Sequence, residues 1–164
     1  MSDIPVEKKF AILCQITRAQ HFAWHQAVAE LCPDVDVAKV TDKMWEITGH
    51  ETAKAYIRRM KQDEPLAPQV ASSIVWSSQC MGEDAALEVT QGKDEAFVRH
   101  ADCPWFHWHK NLDLLHEDQP GCDLWFQTTI DDINAELGTK IRMETQEALP
   151  AGGACCLRRF WVEE

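Results

Sequence analysis

Residues 100–122 read HADCPWFHWHKNLDLLHEDQPGC and hold four of the chain's seven histidines, two of its seven cysteines and two of its seven tryptophans. Side chains of these types supply a thiolate nucleophile, an imidazole that moves protons near neutral pH, or soft ligands for zinc or iron. Cys103 stands just before the helix that Pro104 opens, where unpaired N–H groups and the helix dipole favour a thiolate. Cys122 stands the same way before a following helical segment. Asp123 beside it caps or charges that first turn and raises the thiol pKa. On a helix from Pro104, Trp105, Trp108, Leu112 and Leu115 fall within about 80° of one another. That stripe serves as core or as the wall of a ligand pocket. His109 and His116, seven residues apart, lie together on its flank, with Asp113 four residues from His109. Either histidine acts as a general base or ligand, or both are partly buried rings satisfied by hydrogen bonds. His107 points elsewhere.

Cys103, His109, His116 and Cys156 make a candidate set for zinc or iron, although their spacings match no finger-like pattern. Strand alternation sends Cys155 and Cys156 to opposite faces, which predicts one core thiol and one exposed thiol. Glu144 in RMETQEALP is a candidate inward carboxylate. Asn134, with Asp131 and Asp132, could reach a pocket from another helix or form a wet face. His21 and His25 have i,i+4 spacing, but no H-E-x-x-H accompanies them. There is no glycine-rich phosphate loop and no G-x-S-x-G.

The elements that must position these groups follow from periodicity. Apolar residues recur at helical spacing from Val6 to about Leu31, ended by Cys32-Pro33. Asp34 or Asp36 caps a second helix, Val37 to about Lys61, in which Gly49 marks a bend. A third runs from Gln69 to Met81. Beyond Gly82 the period shortens: 87–90 and 96–100 form a hairpin across QGKDE. A helix from Pro104 to about Glu117 ends at DQPG, and another spans Cys122 to Leu137, stopped by Gly138. Runs at 140–148 and 154–162 form a second hairpin. The layout predicts a single α+β domain over residues 1–164. Residues 1–82 are mainly helical, and 83–164 carry the site on an antiparallel sheet of about four strands covered on one face by helices.

With 164 residues the chain can fill one hydrophobic core. Its formal net charge of −11 argues against nucleic acid and an anionic membrane surface. The opening MSDIPVEKKF has no apolar secretory core, and no run reaches the ~18 apolar residues of a membrane span. A cytoplasmic protein is expected. The seven cysteines are odd in number and irregularly spaced, which suits free thiols rather than a disulfide framework. A homodimer is compatible with the Trp-rich helices, which need covering.

Cys103-Pro104 opening a helix, Cys122-Asp123 leading into a helix with Asn134, the Leu137-Gly138 stop and a closing strand with Cys156 and Phe160 resemble the L-2-amino-thiazoline-4-carboxylic acid hydrolase-like proteins. The resemblance covers roughly residues 85–162. The wider group is similar to the 4-vinyl-reductase-type small-molecule-binding domains, which share the α+β layout. The resemblance implies a hydrolase that opens a small heterocycle at a C–N or C=N bond, with Cys103, Cys122, Asp123 and Cys156 the positions that carry over. The helix after Cys103 is richer in Trp and His than that pattern, which suggests a flatter or more aromatic ligand held by Trp105 and Trp108. Two readings result. In one, Cys103 or Cys122 attacks the ring carbon while His109 or His116 shuttles protons. In the other, the pocket holds a metal, a tetrapyrrole or another apolar ligand without turnover.

Overall fold

Proline and aspartate punctuate the helical half as the spacing predicts. In the computed structural model, which describes residues 4–163, α1 spans Val6–Leu31, and Pro33 follows directly after its C-terminal residue Cys32. Asp36 caps α2 (Val37–Ile57) by accepting the Lys39 amide at 3.4 Å. Cα packing separates two compact units, residues 1–41 and 42–164, with the boundary inside the first turns of α2. The second unit holds all the strands and remaining helices.

Within that unit Gly49 is a contact point rather than a bend. A β-carbon there would lie 2.7 Å from the Thr128 side chain, and Thr129 donates its hydroxyl to the Gly49 carbonyl at 3.2 Å. The next helix, α3 (Leu66–Cys80), begins three residues before the expected Gln69. Its local sequence offers only prolines at the start. The missing cap comes from the β1–β2 turn: Asp94 accepts the Leu66 and Ala67 amides at 3.0 and 2.7 Å.

The strands are β1 (Asp84–Val89), β2 (Glu95–Asp102), β3 (Ile141–Glu147) and β4 (Cys156–Val162), antiparallel throughout in the order β1-β2-β4-β3. Register sets His100 opposite Cys156, Val98 opposite Arg158 and Ala96 opposite Phe160. All six side chains are buried on one face, where α3 packs over β1, β2 and β4. The fold is α+β, a four-stranded antiparallel sheet with a helical N-terminal half, as composition and period predict. Cys155 departs from expectation. It precedes β4 yet is only 4% exposed, with its thiol 3.7 Å from Glu147 Oε2, so both vicinal thiols are buried.

The region after β2 differs more. The predicted helix 104–117 is two pieces, α4 (Pro104–Asn111) and α5 (Leu115–Leu137). Asp113 takes the left-handed region (φ 61°) and turns the chain between them. DQPG does not stop a helix: Pro120 lies inside α5. The carbonyl it deprives of a partner belongs to solvent-exposed His116 in the first turn, where the loss is cheap. Gly121 then lets Trp45 approach, since a β-carbon at 121 would stand 2.7 Å from the indole nitrogen. Gly138 ends α5 in the left-handed conformation (φ 65°).

Candidate functional site

Where α4, α5 and the sheet meet, the second unit encloses a cavity of about 30 Å³, room for roughly two water molecules. Trp45, Trp105, Phe106, Trp125 and Phe126 form its apolar wall. Titratable groups enter from four directions. β2 and β4 supply His100, Cys156 and Arg158 from adjacent positions on the covered face. The turn before β1 supplies Glu83, and α5 supplies Asp118 and Cys122, one helical turn apart. Cys103 and His109 come from the start and the last turn of α4.

His100 Nε2 lies 3.2 Å from Glu83 Oε2 and 2.9 Å from Ser78 Oγ. A carboxylate accepts only, so Nε2 carries hydrogen toward Glu83. His100 Nδ1 is buried and has no hydrogen-bond partner among the described residues. His109 Nδ1 is 3.0 Å from the Trp105 carbonyl, which fixes hydrogen on that nitrogen too, and 3.6 Å from Asp118 Oδ1.

Asp118 is 5% exposed, and its Oδ2 has no hydrogen-bond partner among the described residues. Burial pushes its pKa from the ordinary 3.8 to about 6; Arg158 pulls it down and Glu83 pushes it further up. Arg158, 3% exposed, is held by Asp123, whose Oδ1 accepts from Nε at 3.1 Å, and its guanidinium carbon lies 5.0 Å from the Phe126 ring centroid.

The thiols do not meet the expectation of activated nucleophiles. Burial, with Glu83 adding to it, pushes Cys103 up to about 12, which outweighs the amides of Trp105 and Phe106 that lower it. Burial pushes Cys122 well above its ordinary value despite the opposing pull of Arg158. Cys156 is raised as well, first by burial. Desolvation of the charged form defeats the helix-start field at Cys103, whereas Cys122, expected just before a helix, lies inside α5 about two turns past its start and has no such field.

The other candidates are dispersed. His116 is exposed, its side chain 69% accessible, with Nε2 3.5 Å from Glu117. His107 pairs with Asp102 on the surface at 2.6 Å. Trp108 is half-buried and outside the cavity wall, while Trp105 is part of it. Glu144 is exposed because β3 turns Ile141, Met143 and Thr145, not 144, toward the covered face. Asn134 accepts the Ile141 amide at 2.7 Å and donates to the Ile141 carbonyl at 2.9 Å, tying α5 to β3. Asp123 is occupied by Arg158, Thr145 and Gln119, which makes it a positioning group for Arg158. Cys103, His109 and Cys156 line one cavity but His116 does not join them. Among the described residues no cluster of three or more His, Cys, Asp or Glu is arranged to hold a metal. The space is also far too small for a tetrapyrrole without opening.

Sequence reasoning missed Asp118, Glu83, His100 and Arg158. Two of them had a signal: on β2 and β4, His100 and Arg158 alternate in phase with Val98, Cys156 and Phe160.

The model of the L-2-amino-thiazoline-4-carboxylic acid hydrolase family matches residues 14–160, extending across the helical half. No curated protein matches the chain. Among solved structures, a trafficking protein particle complex subunit 3 from Naegleria fowleri, covalently bound to palmitic acid, superposes with a TM-score of 0.54 at 12% identity, covering 94% of this chain and 97% of that one. An H-NOX protein from S. oneidensis in the Fe(II)NO state superposes at 0.46 and 9% identity, covering 85% and 72%. The first of these shows a shared fold.

Proposed function

Because the chain belongs to the L-2-amino-thiazoline-4-carboxylic acid hydrolase family, we propose that its cavity hydrolyses a C–N or C=N bond of a small, carboxylate-bearing heterocycle. The observation that carries the reading is Asp118: a buried carboxyl with a pKa of about 6 and an oxygen without a hydrogen-bond partner among the described residues, bordering the cavity. A base with that value is ionised at neutral pH and accepts a proton when the substrate carbon is attacked. Water is the nucleophile in this scheme, because the raised thiols hold their protons. Asp118 takes the proton from water as oxygen bonds to the ring carbon between nitrogen and sulfur. Collapse of the tetrahedral adduct breaks the ring C–N bond, Asp118 returning its proton to the departing nitrogen, and leaves an open-chain S-carbamoyl product with a free amine. Arg158 holds the substrate carboxylate, as a planar cation that Asp123 keeps in place. His109 lies 3.6 Å from Asp118 with its Nδ1 hydrogen given to the Trp105 carbonyl, and Trp105 and Trp45 flank the flat ring. Entry requires wall side chains to move, since the resting space holds only about two waters.

Incubation with L-2-amino-thiazoline-4-carboxylate, followed by mass spectrometry, tests this. The product carries the mass of one added water. Asp118→Asn lowers kcat about 10²–10³-fold, while Cys122→Ser and Cys103→Ser each keep most of the activity. Loss of turnover in a folded cysteine variant with Asp118→Asn active reverses the assignment in favour of the thiol.

A second reading, retention of an apolar ligand without turnover, is favoured by the aromatic wall beside three protonated thiols. Native mass spectrometry of the protein as purified separates it: a ligand that survives desalting, with no hydrolysis of the thiazoline, selects the binder.

A further inference from the structure

One surface is unused by any of this. On α1, Val6, Phe10, Leu13, Thr17, Gln20, Trp24, Ala27 and Leu31 recur at alternating spacings of four and three residues, the 3.5-residue period of a coiled-coil seam. Val6, Leu13, Trp24 and Leu31 are 60–80% exposed, and Phe10 is 42% exposed. Cys14, Arg18 and Phe22, the buried residues of this helix, lie on a different face. A helix of 26 residues runs about 39 Å, and six apolar side chains aligned along it on either side of a polar centre exceed the scattered exposed residues of an ordinary surface.

We propose that this seam is the interface of a homodimer in which the α1 helices of two copies pack antiparallel. The sequence of the seam is complementary to its own reverse. Turned end for end, it sets Val6 against Leu31, large Phe10 against small Ala27, Leu13 against Trp24, and the two polar positions, Thr17 and Gln20, against each other. A parallel arrangement instead stacks Trp24 on Trp24 and Phe10 on Phe10. Charge selects the same orientation. Lys9 and Glu30 occupy the same flanking position, each directly before a seam residue, at opposite ends of the helix. Antiparallel packing brings Lys9 of each copy beside Glu30 of the other, twice by symmetry.

Sedimentation of the full-length protein across a concentration series tests this. A dimer is expected, and Trp24→Asp converts it to monomer without change in circular dichroism. Lys9→Glu and Glu30→Lys each weaken the dimer about tenfold by replacing two attractive pairs with two repulsive ones. The combined exchange K9E/E30K restores it to within about threefold of the wild type. A monomer at about 100 µM overturns the proposal, as does a dimer indifferent to Trp24→Asp. A double exchange no better than either single one overturns the antiparallel seam in particular. Both charge variants are surface changes, so the comparison survives if Trp24→Asp fails to fold.

Discussion

Asp118→Asn should make the protein less active and, above neutrality, relatively more stable. The folded chain raises the Asp118 pKa from 3.8 to about 6, first because the carboxylate is desolvated. A shift of about two units corresponds to roughly 3 kcal/mol of penalty on the ionised form. The sign follows from proton binding. Between about pH 4 and 6 the native state keeps a proton that the unfolded chain has already released, so stability falls as pH rises through that window. Below it both states are protonated, and above it both are ionised and the full penalty is in force. Arg158 opposes the shift, Glu83 reinforces it, and His109 lies 3.6 Å from the carboxyl.

Urea unfolding of wild type and Asp118→Asn at pH 4.5 and 8 reads this directly. Of the ~3 kcal/mol, about 2 kcal/mol is lost between those two values, and the asparagine variant lacks that loss. The difference between the proteins therefore changes by about 2 kcal/mol in favour of the variant on going from acid to alkali, whatever its offset at either pH. Meanwhile wild-type kcat/KM climbs through pH 6 to a plateau, as a base that must be ionised requires. Parallel pH dependences of stability in the two proteins refute the buried, desolvated carboxyl, and with it the base.

Three further outcomes follow from the geometry. Alkylation at pH 8 labels exposed Cys32 and Cys80 at least 100-fold faster than Cys103 and Cys122, whose thiolate populations are suppressed by burial; peptide mapping of early label shows the order. Gly121→Ala drives a methyl to 2.7 Å from the Trp45 indole nitrogen and costs about 2–3 kcal/mol, whereas Gly92→Ala, at φ +72° in open space, costs about 1–2 kcal/mol from backbone strain alone; thermal or urea unfolding compares them. Arg158→Lys raises KM for the carboxylated thiazoline about tenfold or more, the worth of a bidentate charged contact, and leaves 2-aminothiazoline, which has no carboxylate, within threefold; steady-state kinetics on the two substrates decides.

Most of the fold was legible because its boundaries are written locally. Cys32-Pro33, Asp36 and Gly138 act on their own neighbours, and the strands announce themselves by alternation. What was not legible acts at a distance. The start of α3 depends on Asp94, 28 residues downstream of Leu66. Pro120 reads as a stop because nothing nearby says that Trp45, on another helix, packs against the following glycine. The site was half visible for the same reason. Cysteine and histidine drew notice by type, yet His116 and His107 reach solvent while His100, at the inward phase of β2, lies inside. For the thiols, the helix-start field reaches Cys103 alone, because α5 begins at Leu115 and Cys122 lies inside it. Desolvation, which only packing reveals, is the larger effect at Cys103 and raises Cys122 as well.

That same desolvation explains why the charged groups matter more than the sulfurs. An ionisable side chain excluded from water costs several kcal/mol unless it is paired. Here the pairs that would relieve the cost exist for Glu83 with His100 and for Arg158 with Asp123. Among the described titratable groups bordering the cavity, they stop short at Asp118 Oδ2 and His100 Nδ1. Packing alone gains nothing by leaving them bare: leucine and phenylalanine in these places would be cheaper. Both residues border the same cavity, with a guanidinium on its wall. Unspent hydrogen-bonding capacity at such a place is where a ligand donor would recover the desolvation already suffered by the protein. An amidine-like nitrogen meets that requirement at both atoms, and a carboxylate at the other end meets Arg158. A bound competitive analogue should therefore raise unfolding stability most at pH values where Asp118 is ionised, above about 6. Equal stabilisation at pH 4.5 and 8 would mean that the ligand does not use Asp118.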